Sequence, residues 1–119
     1  MLAVSSPRLQ SRIAALARFG ALPGGGVTRS CWSPAHEQAR AWLLGEIKTA
    51  GLTPWVDAAG NVFGGLGLSS LDAARPAVLT GSHIDTVPEG GILDGALGVL
   101  AGLECLHVIH ESSTRTARP

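Results

Sequence analysis

The stretch "TGSHIDTVPEGGILDGALGV", Thr80–Val99, decides how this chain is read. An apolar run, Ala77-Val78-Leu79, leads into His83 and, two residues later, Asp85. A second aspartate, Asp94, follows a glycine-flanked loop, and a helix is expected to start beside it. In an open α/β sheet, ligands bind beyond the carboxyl ends of strands, where His83 would stand. Imidazole is a common ligand of zinc and related ions, and a ligating histidine usually gives its second N–H to a carboxylate. Asp85 has the chemistry for that partner, and the Asp94 carboxylate could ligate one metal or bridge two. Other readings compete on these residues alone. His83 could be a solvated surface side chain, Asp94 an N-cap, and Asp85 the start of an Asx-turn.

Outward from this stretch, the chain reads as alternating helix and strand. "PAVLTGSH" is expected as a short strand buried on both faces, as in a parallel or mixed sheet. The apolar spacing predicts a helix from Gly95 to His110, with Gly95, Gly98 and Gly102 on one face. Glycine weakens a helix interior, so a close backbone approach to the sheet is expected there. Upstream, residues 8–20 read as a helix from Leu9, Ile13, Leu16 and Ala17. "LPGGGVTRS" breaks that pattern and reads as a loop. "SPAHEQARAWLLGEIKTAG" carries Ser33 as N-cap, Pro34 in the first turn and Gly51 as the stop. "TPWVD" and "NVFGGL" read as a hairpin turning at Gly60-Asn61, and Ser69–Arg75 as a surface loop. The order α-α-β-β-β-α is an α/β pattern with covered sheet faces.

Composition narrows the function classes. With 119 residues the chain makes one small domain, and nine basic residues balance nine acidic ones. That balance gives no reason to expect a nucleic-acid or membrane partner. Cys31 and Cys105 are expected as free thiols of a reducing compartment. Arg8 and Arg12 interrupt the only candidate signal segment, so a cytoplasmic protein is expected. His36, in a first helical turn, is expected to be solvated; Glu104 and His107 share a helical face and are expected to pair.

"GSHIDTVPEGGILDGALGVLAGLE" resembles the signature of the dinuclear zinc amidohydrolases and peptidases of aminoacylase and carboxypeptidase type. The branch it resembles most holds N-carbamoyl-L-amino-acid hydrolase and allantoate amidohydrolase. "GGVTRSCWSPAHEQARAWLLGEIKTAGL" and "VDAAGNVFGGL" resemble the preceding segments of that branch, in order. The resemblance implies an incomplete N-terminal part of a zinc-exopeptidase-like catalytic domain, with a mixed sheet flanked by helices. His83 would be a metal ligand, Asp94 would bridge two divalent ions (Zn, or Mn, Co or Ni), and Asp85 would support His83. The bond Asp94–Gly95 would be cis, as it often is in that family.

The family pattern also needs parts that residues 1–119 lack: a Glu-Glu pair after the next strand, two later histidine ligands, and an inserted dimerisation and lid domain. "TRTARP" resembles the lead-in to the Glu-Glu strand. The expected reading is therefore part of a metal-dependent amidohydrolase cleaving C–N bonds of N-carbamoyl-L-amino acids or allantoate-like ureido compounds, inactive by itself. The alternative is a non-enzymatic remnant or interaction module. The resemblance implies a small ureido or amide substrate and a homodimer for the whole enzyme.

Overall fold

A computed structural model describes residues 1–66 and 76–116. The expected loop Ser69–Arg75 and the end of "TRTARP" lie outside the described residues. Helix α1 spans Ser6–Ala17; the Ser5 side chain caps it by accepting the Arg8 N–H, and Pro7 sits in its first turn. Helix α2, Pro34–Thr49, is capped by Ser33, whose hydroxyl accepts the His36 N–H. It stops at Gly51, whose φ of +75° is a left-handed conformation that glycine tolerates. Strands β1, Thr53–Val56, and β2, Val62–Gly65, form an antiparallel hairpin with Trp55 opposite Phe63. The two rings stack at 4.8 Å. Asp57 holds the connecting turn, its carboxylate accepting the N–H groups of Ala59 and Asn61. Helix α3 spans Ala96–Glu111.

The core lies where the three helices meet. Leu16 of α1, Ala39, Leu43 and Ile47 of α2, and Ala96, Leu100 and Leu103 of α3 are buried together with Leu52 and Ile84. α1 lies along α3, and α2 covers the hairpin. Burial of these apolar side chains, about 1.5–3 kcal/mol for each leucine or isoleucine and less for each alanine, is the main force holding the helices together. No helix among the described residues is long and apolar enough to cross a membrane.

The α/β partial-domain class holds, but its third strand does not form. Residues 76–83 carry no ladder, and the sheet of the described residues has two strands. Val78 and Leu79 are 73% and 80% exposed rather than buried on both faces. A strand exists only through hydrogen bonds to neighbours, and none of the described residues supplies them here. The expected close approach does occur. A Cβ built on Gly98 would come within 2.8 Å of Ser82, and one on Gly102 within 3.0 Å of Thr80. The glycines of α3 therefore leave room for the Thr80 and Ser82 side chains to pack on the helix, although residues 80–83 join no ladder among the described residues.

Candidate active-site segment

His83 stands where this extended segment ends, and its ring turns back on its own loop. Nδ1 is 3.3 Å from an Asp85 carboxylate oxygen and 3.0 Å from the Asp85 carbonyl oxygen. Both side chains remain open to solvent, 51% and 42% exposed. The loop from Thr86 to Gly95 then brings the chain back. Gly95 has φ +66° and packs so closely on His83 that a Cβ there would lie 2.5 Å from the imidazole. Only glycine fits this corner, because both the conformation and the contact exclude a side chain. The exposed Asp94 is thereby delivered next to the residue touching His83.

Two of the competing readings fall at this point. α3 starts at Gly95 with no side-chain cap, so Asp94 is not an N-cap. The Asp85 carboxylate accepts no backbone N–H among the described residues, so it makes no Asx-turn. The Asp94–Gly95 bond is trans, because all described peptide bonds are. The left-handed Gly95 supplies the turn into α3 that the expected cis bond would have supplied.

The donor set fits part of a metal shell. With Nδ1 facing Asp85, the other ring nitrogen of His83 is free to bind an ion, and Asp94 offers an uncommitted carboxylate. A structural or catalytic zinc needs three or four protein donors. Among the described residues no group of three His, Cys, Asp or Glu side chains is gathered for one. The segment opens into a cavity of about 940 Å³ between the hairpin and α3, lined by His83, Asp85, His36, Trp55, Leu79 and Leu103 among others.

The other histidines depart from expectation. His36 is buried, not solvated: its Nδ1 accepts the Trp32 N–H at 3.1 Å. Burial first, then the nearby Arg40 and Arg29 cations, push its pKa below the ordinary 6.5, against Glu37 and Asp85. Trp32 itself has φ +62°, strained for a non-glycine residue, and lies under the Arg40 guanidinium.

Glu104 does not pair with His107. It is fully buried and held by arginines of α1: Arg8 through Nε and Nη2, both at 2.8 Å, and Arg12 through Nη1 at 3.0 Å. Burial alone would raise its pKa, but the Arg8 and Ser5 hydrogen bonds and both cations bring it below the ordinary 4.5. His107 instead accepts from Arg12 at 3.0 Å. Its pKa is lowered, first by burial and then by Arg8 and Arg12.

Sequence reasoning passed over Arg29. Within the loop "GGVTRS" a lone arginine carries no periodic signal. It is 1% exposed, and its guanidinium donates to the carbonyls of Ile84 at 2.6 Å, Leu16 at 3.0 Å and Phe19 at 2.8 Å. Around it, residues 27–29 pair with the loop after His83. Val27 and Gly90 exchange backbone bonds of 2.9 and 2.8 Å, and Thr86 donates to the Arg29 carbonyl at 2.9 Å. Thr86 Oγ1 accepts the Arg29 N–H and donates to the Val27 carbonyl.

The fold of the chain matches part of several solved structures. A hydantoinase/carbamoylase family amidase from Burkholderia ambifaria matches 98% of this chain at 40% identity, with a TM-score of 0.89. Its relatives include proteins named N-carbamoyl-L-amino-acid amidohydrolase, allantoate amidohydrolase and ureidoglycolate hydrolase, and its structural neighbours include hydantoinase/carbamoylase family amidases. A ureidoglycolate hydrolase of Arabidopsis thaliana is 38% identical over 98% of the chain, and covers 24% of its own length in doing so. An N-carbamoyl-L-amino acid amidohydrolase of Geobacillus stearothermophilus is likewise 38% identical over 98% of the chain and 28% of its own length. The chain thus spans about a quarter of the length of the curated relatives it matches. No family model matches it.

Proposed function

We propose that these 119 residues form part of the metal-binding catalytic domain of an amidohydrolase that cleaves C–N bonds in N-carbamoyl-L-amino acids or allantoate-like ureido compounds. His83 and Asp94 would hold divalent metal, zinc or another ion suited to imidazole and carboxylate, and Asp85 would orient His83. The observation that carries this reading is the return of Asp94 toward His83 through Gly95, in a chain nearly all of which matches the amidohydrolases. When bound, the metal would supply an acidified water as nucleophile. The part played by this chain is to direct the ring, keep the Asp94 carboxylate uncommitted and present the apolar-walled cavity to substrate.

Two donors hold an ion weakly, so the chain alone is inactive in this reading. In this reading the remaining ligands, the general base and the dimer contacts would come from the roughly three-quarters of the relatives' length that this chain does not match. The free thiols Cys31 and Cys105 support a reducing, cytoplasmic setting. The test is zinc titration of the purified chain beside its His83→Ala and Asp94→Asn variants, with hydrolysis of N-carbamoyl-L-amino acids assayed in parallel. Weak uptake that either substitution abolishes, without turnover, is expected. Uptake unchanged in both variants would overturn the ligand assignment. Turnover that EDTA removes would overturn the inactivity of the chain alone.

A further inference from the structure

The His83-x-Asp85 segment lacks the usual support of a site at a strand end. No ladder holds residues 76–83 among the described residues. Ile84, between the two side chains of interest, nevertheless points into the core and is buried. Its carbonyl takes the shortest of the Arg29 bonds, 2.6 Å. The same guanidinium takes the carbonyls of Leu16 and Phe19, at and just past the C-terminal end of α1, the Leu16 carbonyl accepting the Phe19 N–H as well. One buried fork therefore ties the end of α1 to the peptide between His83 and Asp85. A planar guanidinium with donors in fixed directions can do this; a lysine ammonium cannot match the three angles. Among the described residues, no side chain from outside this segment other than that of Arg29 bonds the backbone of 83–85; the His83 ring meets the Asp85 carbonyl from within it. The position also matters electrostatically. Burial lowers the Arg29 pKa, and the charge of Asp85 opposes that, so cation and carboxylate feel each other.

We propose that Arg29 is the positioning residue of the site, fixing the backbone at Ile84 so that the His83 and Asp85 side chains leave it toward one point. This rests on the metal reading given above for what that point binds. It does not touch metal or substrate; it acts through His83 and Asp85.

The test uses the full 119-residue chain, labelled with ¹⁵N, as wild type, Arg29→Met and Arg29→Lys. Backbone order parameters at Ile84 and Asp85 are expected near about 0.85 in the wild type and below about 0.6 in both variants, with α2 unchanged. Zinc chloride titration is expected to show at least a tenfold weaker Kd per folded molecule for Arg29→Met. A role confined to global stability would lower the folded fraction while leaving Kd per folded molecule intact, and that result overturns the proposal. Wild-type residues 84 and 85 already disordered, or still ordered in a folded variant, also overturn it. If Arg29→Met does not fold, Arg29→Lys decides, because it keeps the charge and loses the fork. If the wild-type chain takes up no zinc, the metal reading fails, while the order parameters still decide the role of Arg29.

Discussion

Two clusters of carboxylate, histidine and arginine sit on opposite sides of α3, and they have opposite fates. At the α1–α3 contact, Glu104 is wholly buried, and Arg8, Arg12 and the Ser5 N–H take its oxygens at 2.8–3.0 Å. Arg12 also meets Glu46 and His107. At the start of α3, His83 and Asp85 are half exposed and have mainly each other. Asp94 has no cap to make. The first cluster is saturated, and a saturated buried network can only hold structure. The second keeps unused coordinating atoms, those of His83 and Asp85 lining a largely apolar cavity and those of Asp94 exposed beside it, and such atoms are free to take a ligand. Residue types do not separate the two clusters; burial and completed hydrogen bonding do.

The sharpest way to break this comparison is to remove Glu104. Glu104→Ala takes from the buried Arg12 one of its two carboxylate partners, leaving only the partly exposed Glu46, and breaking a buried pair of this kind costs up to about 3–5 kcal/mol. Urea unfolding of the two chains should show it as a large drop in midpoint. A drop no larger than that of an exposed pair, below about 1 kcal/mol, would mean that the network is solvated and the contrast with His83 is false.

A pair of glycine substitutions tests the other side. Gly45 lies in α2 with open space around it, so Gly45→Ala should stabilise by about 1 kcal/mol through helix propensity. Gly98 in α3 faces Ser82 at 2.8 Å, and overpacking there costs about 1–3 kcal/mol against the same gain. Gly98→Ala should therefore be neutral to destabilising and should shift the His83 resonances, because Ser82 must move. Equal stabilisation by both would show that residues 80–83 do not rest on α3.

How much of this was legible in the sequence follows from the range of each interaction. Caps, stops and the hairpin are local, and Ser33, Gly51 and the β1–β2 hairpin stand as the sequence implied. The glycine stripe was legible because its cost demanded a neighbour. The strand at 76–83 was misread, since apolar content signals burial but only a partner strand makes a ladder. Arg29, buried His36 and the Glu104 network were out of reach for a related reason. Each is defined by contacts across many positions, 55 between Arg29 and Ile84 and 92 between Arg12 and Glu104, and no periodicity encodes those.

Acid should loosen the two clusters' surroundings in two steps. His36 and His107 have pKa values lowered below 6.5 in the folded chain, so the unfolded chain binds more protons as pH falls from there. Their neutral forms contribute fully above 6.5, and stability is lost as pH descends through the lowered values. Glu104, lowered below 4.5, contributes fully above that value, and its share is lost only as pH falls through its folded pKa. Thermal melts from pH 8 to 3 should thus decline first below 6.5 and again below 4.5. His36→Asn should flatten part of the upper step, and an unchanged upper step would remove His36 from this account.

The smallest effect on stability is expected where the functional consequence is greatest. His83 is exposed, bonds only its own loop, and lies outside the core, so His83→Ala should change unfolding free energy by no more than about 0.5 kcal/mol. It should at the same time abolish the weak zinc uptake assigned to the segment. This separation is the converse of Glu104→Ala, which should cost stability and leave the metal donors untouched wherever the chain stays folded. If His83→Ala instead destabilises the chain by 2 kcal/mol or more, its ring is needed to seat Gly95 and α3, and the histidine is structural. The contact between that ring and Gly95 makes this a real alternative outcome, and paired urea and zinc titrations of the one variant decide between them.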